Sequence, residues 1–91
     1  MQISIVIPLF NEEESLPELC SWIERVMTQH SFTYELILVD DGSRDNSWQV
    51  ISQLALANKA IKGIKFQRNY GKSAGLYKGF EAAMGDVVIT M

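Results

Sequence analysis

Cysteine is all but absent: Cys20 is the only one in 91 residues, which excludes a disulfide framework and a thiolate metal site. It falls on the apolar stripe of a helical pattern and reads as a small core residue. His30 is the only histidine, stands in a polar turn, and is read as idle. No apolar run approaches the ~20 residues of a membrane helix. Nothing ahead of the strand-like pattern at Ile3 has the make-up of a secretory leader, so a soluble, cytoplasmic chain is expected. The fingerprint G-x-G-x-x-G is missing after the first strand. Asn11 and three glutamates stand where a dinucleotide fold needs small residues and a neutral path for pyrophosphate, which argues against a nicotinamide or flavin dinucleotide enzyme. Gly71-Lys72-Ser73 lacks the upstream glycine of a phosphate-binding P-loop and follows the wrong strand.

What is present is ordinary for one globular domain: 47% hydrophobic and 21% charged residues. The net charge of −3 argues against nucleic acid as a partner. The charge is unevenly spread. Residues 1–45 carry nine acids and two bases, whereas residues 59–78 carry six bases and no acid. One half suits a nucleobase edge or a cation and the other suits phosphates, unless both are simply solvated faces.

Four strand-like runs alternate with three helical patterns. Residues 3–9 form a near-continuous apolar run, as in a strand covered on both faces. Ser15 and Glu18 have capping-box spacing and Pro17 suits a first helical turn. Leu16, Leu19, Cys20, Ile23, Val26 and Met27 then make one apolar face. Residues 35–40 are the second strand. Asp41-Gly42-Ser43 is a turn, with Ser43 or Asp45 capping a helix whose inward face is Trp48, Ile51, Leu54 and Ala55. Residues 61–66 are the third strand. Residues 72–84 are a third helix with Leu76, Phe80 and Ala83 inward, ended by Gly85. Residues 86–91 open a fourth strand. The order βαβαβαβ calls for an α/β fold: a three-layer parallel sheet with right-handed crossovers. Because the chain stops inside an apolar strand, residues 1–91 are expected to be a truncated N-terminal part of a longer domain. The unpaired fourth strand is then a route to self-association.

In open parallel sheets ligands bind at the carboxyl ends of the strands, and three polar clusters fall there: residues 8–12, 40–43 and 68–72. An ionised carboxylate only accepts hydrogen bonds, so Asp40 or Asp41 would select a donating edge such as uracil N3–H or guanine N1–H. Neighbouring strand residues face opposite ways, so the two are poorly placed to chelate one ion; one should face the crevice and the other the following loop. A turn or cap role competes with base reading for both. Phe10 offers a ring to a base or ribose, or a satellite core contact. Glu12 suits ribose hydroxyls, the base, or the helix dipole. Arg68 and Lys72 flank Gly71 at a helix start, which suits a diphosphate, although solvated cations would look the same.

Read in order, Ser4-Ile5-Val6-Ile7-Pro8-Leu9-Phe10-Asn11-Glu12, Glu35-Leu36-Ile37-Leu38-Val39-Asp40-Asp41-Gly42-Ser43 and Gly85-Asp86-Val87-Val88-Ile89 resemble the family 2 glycosyltransferases. The resemblance implies a GT-A fold, of which this chain is the Rossmann-like nucleotide-binding half. Arg68-Asn69-Tyr70-Gly71-Lys72-Ser73-Ala74-Gly75-Leu76 resembles the branch acting on polyprenyl phosphates, which includes dolichol-phosphate mannosyltransferases and bactoprenol glucosyltransferases. It implies that Pro8, Phe10 and Glu12 line a nucleotide pocket, that Asp40 or Asp41 contacts the base, and that Gly71 and Lys72 lie over the nucleotide. The implied reaction is inverting transfer from a UDP- or GDP-sugar to a lipid phosphate, at the cytoplasmic face of a membrane. A divalent Mg or Mn ion would bridge the diphosphate. The family's metal-binding Asp-x-Asp belongs after the fourth strand, beyond Met91. No catalytic residue and no metal ligand is therefore assigned within the chain, which by itself is expected to be inactive and at most a weak nucleotide binder. Two alternatives are a non-catalytic α/β binding module and a receiver-type signalling domain, whose acidic pair, however, follows the first strand rather than the second.

Overall fold

Four of the five residues Ile3-Ser4-Ile5-Val6-Ile7 are β-branched aliphatics, which favours a pleated strand over a helix. In the computed structural model, which describes residues 1–91, this run begins β1 (Ile3–Leu9). There follow α1 (Leu16–Gln29), β2 (Tyr34–Asp40), α2 (Ser47–Ala57), β3 (Ile61–Lys65), α3 (Lys72–Ala82) and β4 (Val87–Thr90). The strands form one parallel sheet in the order β3-β2-β1-β4. The α/β class and element order agree with the sequence reading. A receiver-type order, 2-1-3-4-5, is not what this sheet has: there β1 lies between β2 and β3, whereas here β3 pairs with β2, and β2 lies between β3 and β1.

The strand order explains the layers. From β1 through β2 to β3 the chain steps outward in one direction. β4 then pairs with the other side of β1, so the direction reverses, and a right-handed crossover that reverses must pass over the opposite face. Accordingly Leu16, Cys20, Ile23 and Ile51 pack on Ile3, Ile5, Ile7, Leu36 and Leu38, while Leu76 and Ala83 pack on Val6, Ile37 and Val39. Alternate residues of β1 and β2 thus serve two different cores, and both strands are covered on both faces.

α3 departs from the expected pattern. Phe80, read as inward, is 48% exposed, and the buried face is Gly75 and Gly79. The helix lies too near β1 for anything larger. A Cβ on Gly75 would stand 2.9 Å from Pro8 Cβ, and one on Gly79 would collide with Val6 Cγ1. The bulky residues Tyr77, Phe80 and Met84 are left outward. The capping box at α1 is also not formed. Ser15 sits in the right-handed helical region (φ −87°, ψ −19°) and makes no side-chain cap bond; its hydroxyl donates instead to Glu12 Oε2 at 2.8 Å.

At the amino-terminal rim a buried ionic cluster ties the sheet together. Ser4 Oγ donates to Glu35 Oε2 at 2.5 Å and Lys62 Nζ pairs with Oε1 at 2.6 Å. The amide of Met84 donates to Oε2 at 2.6 Å, and the amide of Gly85 donates to Ser4 Oγ at 2.7 Å. A charge this buried is costly without partners; here β1, β3 and the α3–β4 loop supply them, which is also why α3 ends at Ala82. Burial raises the Glu35 carboxyl, but hydrogen bonds from Lys62, Ser4 and Met84 outweigh it and hold it below the ordinary value of 4.5.

Two outcomes follow. Because Glu35 has a lowered pKa in the folded chain, its contribution is complete above the ordinary value and fades as pH falls below about 4.5. Glu35→Gln should therefore lower the urea midpoint near neutrality, and its gap from the native chain should narrow on acidification; a gap constant with pH would refute this. Gly79→Ala should gain about 1 kcal/mol of helix propensity yet lose roughly 1–3 kcal/mol to overpacking. Val6 is fully buried and β-branched and has no room to give, so the loss should win in equilibrium unfolding.

Candidate functional site

The pairing of β1 with β2 ends with Leu9 opposite Asp40, so their following loops leave the sheet side by side. The two loops are stitched together. The amide of Asn11 donates to Ser43 Oγ at 2.8 Å, that of Glu12 to Ser47 Oγ at 2.9 Å, and that of Glu13 to Asp45 Oδ2 at 3.3 Å. In return the amide of Arg44 donates to Asn11 Oδ1 at 2.8 Å. Asn11 adopts φ +54°, a left-handed conformation that asparagine tolerates better than most residues. Ser43 is therefore a brace between loops. Neither Ser43 nor Asp45 is the N-cap of α2: that position is Asn46, which makes no side-chain cap bond. Asp45, one residue earlier, accepts the Ser47 amide at 2.9 Å and its hydroxyl at 2.6 Å through Oδ1. Desolvation pushes the Asp45 carboxyl up, but the Ser47 hydroxyl and amide and the Glu13 amide together hold it below the usual range.

The second loop is joined in turn to the third. Gly42 (φ +76°) passes so close that a Cβ on it would stand 2.5 Å from the amide nitrogen of Asn69. Beside it, Asp41 Oδ1 accepts the Tyr70 amide at 2.7 Å and Oδ2 accepts the Gly71 amide at 3.0 Å. Gly71 (φ +97°) is the N-cap of α3. Arg68 lies across the Tyr70 ring, 5.1 Å from its centroid, and its Nε donates to Tyr70 Oη at 3.1 Å.

Between these loops lies a cleft of about 210 Å³ lined by Pro8, Leu9, Phe10, Asp41, Lys72 and Met91. It opens between the carboxyl ends of β1 and β4, the point at which the winding reverses and where open α/β sheets bind ligands. Its chemistry is mixed. Phe10, 40% exposed, presents a ring; Asp41 presents a carboxylate. Lys72 and the first turn of α3, whose leading amides have no helical acceptors, present positive charge.

The candidate residues separate clearly. Pro8, Phe10, Asp41 and Lys72 meet in this cleft, with Gly71 directly behind Lys72. Glu12 is exposed in an adjoining hollow of about 440 Å³ that shares Pro8, Leu9 and Phe10. Asp40 does not line the cleft. It is 1% exposed, its Oδ1 accepts the Ser43 amide at 2.8 Å, and its Oδ2 has no partner. The alternation of the strand sends it to the α1–α2 side and Asp41 to the α3 side. Leu9 and Met91 were not singled out in the sequence, since apolar wall residues carry no distinguishing pattern. The bracing roles of Asn11, Ser43 and Ser47 depend on contacts between loops more than 30 residues apart.

The fold is that of the GT-A glycosyltransferases. The chain superposes on S. aureus TarS residues 1–349 in complex with UDP with a TM-score of 0.82 at 22% identity, over 100% of this chain and 27% of that one. It superposes on the mannosyltransferase PcManGT from Pyrobaculum calidifontis, solved with GDP-Man and Mn2+, with a TM-score of 0.81 at 18% identity, over 96% and 26%. The profile described as glycosyl transferase family 2 matches residues 4–91, and the chain belongs to that family. Among curated relatives it is 48% identical over 90 residues to the undecaprenyl-phosphate 4-deoxy-4-formamido-L-arabinose transferase of Pseudomonas fluorescens (strain SBW25), covering 98% of this chain and 26% of the relative. It is 46% identical to the protein of that name from Aeromonas hydrophila, covering 98% and 28%. The chain thus spans about a quarter of the length of the curated relatives it matches. No helix in it is long and apolar enough to cross a membrane.

The loop stitching can be tested at Asn11. Asn11→Ala removes the acceptor for Arg44 and puts alanine in a left-handed conformation, and should cost about 1–2 kcal/mol in equilibrium unfolding. Asn11→Gly loses the same acceptor but relieves the backbone, so it should recover part of that loss. Equal stability of the two variants would show that the backbone conformation contributes nothing.

Proposed function

We propose that this chain is the nucleotide-sugar-binding part of an inverting glycosyltransferase, which transfers a sugar from a UDP- or GDP-sugar to a polyprenyl phosphate. The observation that carries the reading is the meeting of Phe10, Asp41 and Lys72 in one cleft at the winding reversal. Phe10 covers one face of the base or ribose, and Pro8 shapes the floor beside it. Asp41 accepts the base's N–H, a donor that uracil and guanine share at this edge. Lys72 and the start of α3 face the diphosphate, with Gly71 setting where that helix begins. Glu12, beyond Phe10, is placed for ribose hydroxyls, and Asp40 supports the loop from beneath.

The acceptor class is supported by the relatives' own description as undecaprenyl-phosphate sugar transferases, and the donor class by the UDP and GDP-Man in the structural neighbours. A protein working on a lipid phosphate in this way belongs at the cytoplasmic face of a membrane. The Mn2+ of one neighbour supports a divalent ion in the family. Within these 91 residues no three His, Cys, Asp or Glu side chains gather to hold one, so no step is assigned to a metal here. Nor is any residue of the chain assigned as catalytic, and the isolated chain is expected to be inactive in transfer and at most a weak nucleotide binder. Its outer strand β4 exposes Val87, Val88 and Ile89 beside an unpaired edge, which is where self-association would begin.

Titration of the 91-residue chain with UDP and GDP, followed by amide and side-chain NMR shifts, should move Phe10 and Lys72 for at least one of the two. Asp41→Asn should weaken that binding about tenfold, the range for a hydrogen bond to a charged group, while leaving the spectrum folded. Binding unchanged in Asp41→Asn would remove Asp41 from the base-reading role.

A further inference from the structure

Asp41 faces two ways. Its oxygens hold the amides of Tyr70 and Gly71 at 2.7 and 3.0 Å, yet the same side chain lines the cleft with Phe10 and Lys72. An ionised carboxylate has about four acceptor positions. Two are filled by the loop, and the rest are available to a donor arriving from the cleft.

The Gly71 amide is held by this carboxylate, and no side chain crowds the position where its own would stand. Nothing lies within 4 Å of where a Cβ on Gly71 would be, although its φ is +97°. Gly42, next to Asp41, is by contrast pressed against the backbone of Arg68 and Asn69, so the carboxylate cannot drift away from the loop it holds. Gly71 is the N-cap of α3, and Lys72 is the first residue of the helix that the N-cap starts. The position of the lysine therefore follows from the amides that Asp41 grips.

We propose that Asp41 is a positioning residue that couples the two ends of a bound nucleotide: by holding the Tyr70 and Gly71 amides it brings Lys72 to the diphosphate, while its remaining lone pairs take the base. This rests on the nucleotide-sugar reading above and adds to it a linkage, in which engagement of the base tightens the loop that carries the phosphate contact. Such coupling is reciprocal, so phosphate held by Lys72 also strengthens the base contact.

A double-mutant cycle tests the linkage. For the native chain, Lys72→Gln should weaken whichever of UDP and GDP binds by about tenfold, and leave the corresponding nucleoside, uridine or guanosine, unaffected. In the Asp41→Asn background one of the two acceptor oxygens is replaced by a donor, so only one of the Tyr70 and Gly71 amides can keep its partner. Lys72→Gln should then weaken the nucleotide less than twofold, since coupled neighbours are not additive. Gly71→Ala, strained at φ +97° with no side-chain clash, should likewise erase the contribution of Lys72. Amide hydrogen exchange supplies the readout that does not depend on affinity. Protection of Tyr70 and Gly71 should rise with nucleotide, and in Asp41→Asn at least one of the two amides should lose it. The amides of Met84 and Gly85, held by the remote Glu35 cluster, should stay protected and report an intact fold. Additive losses, or Tyr70 and Gly71 protection unchanged in Asp41→Asn, would overturn the linkage while leaving the nucleotide reading standing. No binding of UDP or GDP to the native chain would overturn both.

Discussion

The parallel pairing of β1 with β2, Ile3 beside Tyr34 through Leu9 beside Asp40, is the constraint from which the other features of this molecule follow. Both strands are apolar on both faces and can hide that surface only at the centre of a sheet with helices on either side. Their shared last rung brings the loops after them out at one level, close enough for Asn11 to meet Ser43 and Arg44, and for Glu12 to meet Ser47. Without that register the polar residues of the two loops would be separate surface decoration.

The two rims of the sheet are used differently. At the amino-terminal rim Glu35 is buried and fully engaged by Ser4, Lys62 and the Met84 amide, so the start of β4 is fastened to β1, β2 and β3 together. At the carboxyl rim the chain diverges. The reversal that sends α3 across the opposite face leaves a gap between the ends of β1 and β4 that no connection crosses, and Phe10, Asp41 and Lys72 border it. One rim is closed by charge and the other is left open as a cleft. The close seating of α3, possible only because Gly75 and Gly79 have no side chain, is what brings Lys72 within reach of β1.

The aspartate pair shows how strand geometry assigns chemistry. Asp40 and Asp41 are adjacent and chemically identical, yet one is sealed under the second loop and the other faces the cleft. Nothing but the alternation of side chains along β2 distinguishes them. The same alternation puts Asp41 next to the third loop, where its two oxygens organise the start of α3.

How much of this was legible beforehand depends on the range of the interactions involved. The strands, the helices and the three polar loop tips could be read from the chain because they are local: β-branched runs, 3.6-residue periodicity, and turn residues at fixed offsets. So could the convergence of Phe10, an aspartate and Lys72, because every βα loop of a parallel sheet emerges on the same rim. The family resemblance was likewise carried by short contiguous segments. The tertiary structure alone decided the strand order β3-β2-β1-β4, which aspartate of the pair lines the cleft, and the glycine face of α3 that turned Phe80 outward. It also decided that Ser43 and Asn11 are braces, and that Ser15 does not cap α1. Each depends on which distant segment lies alongside, and pairwise spacing in a single chain does not encode the identity of a neighbour tens of residues away.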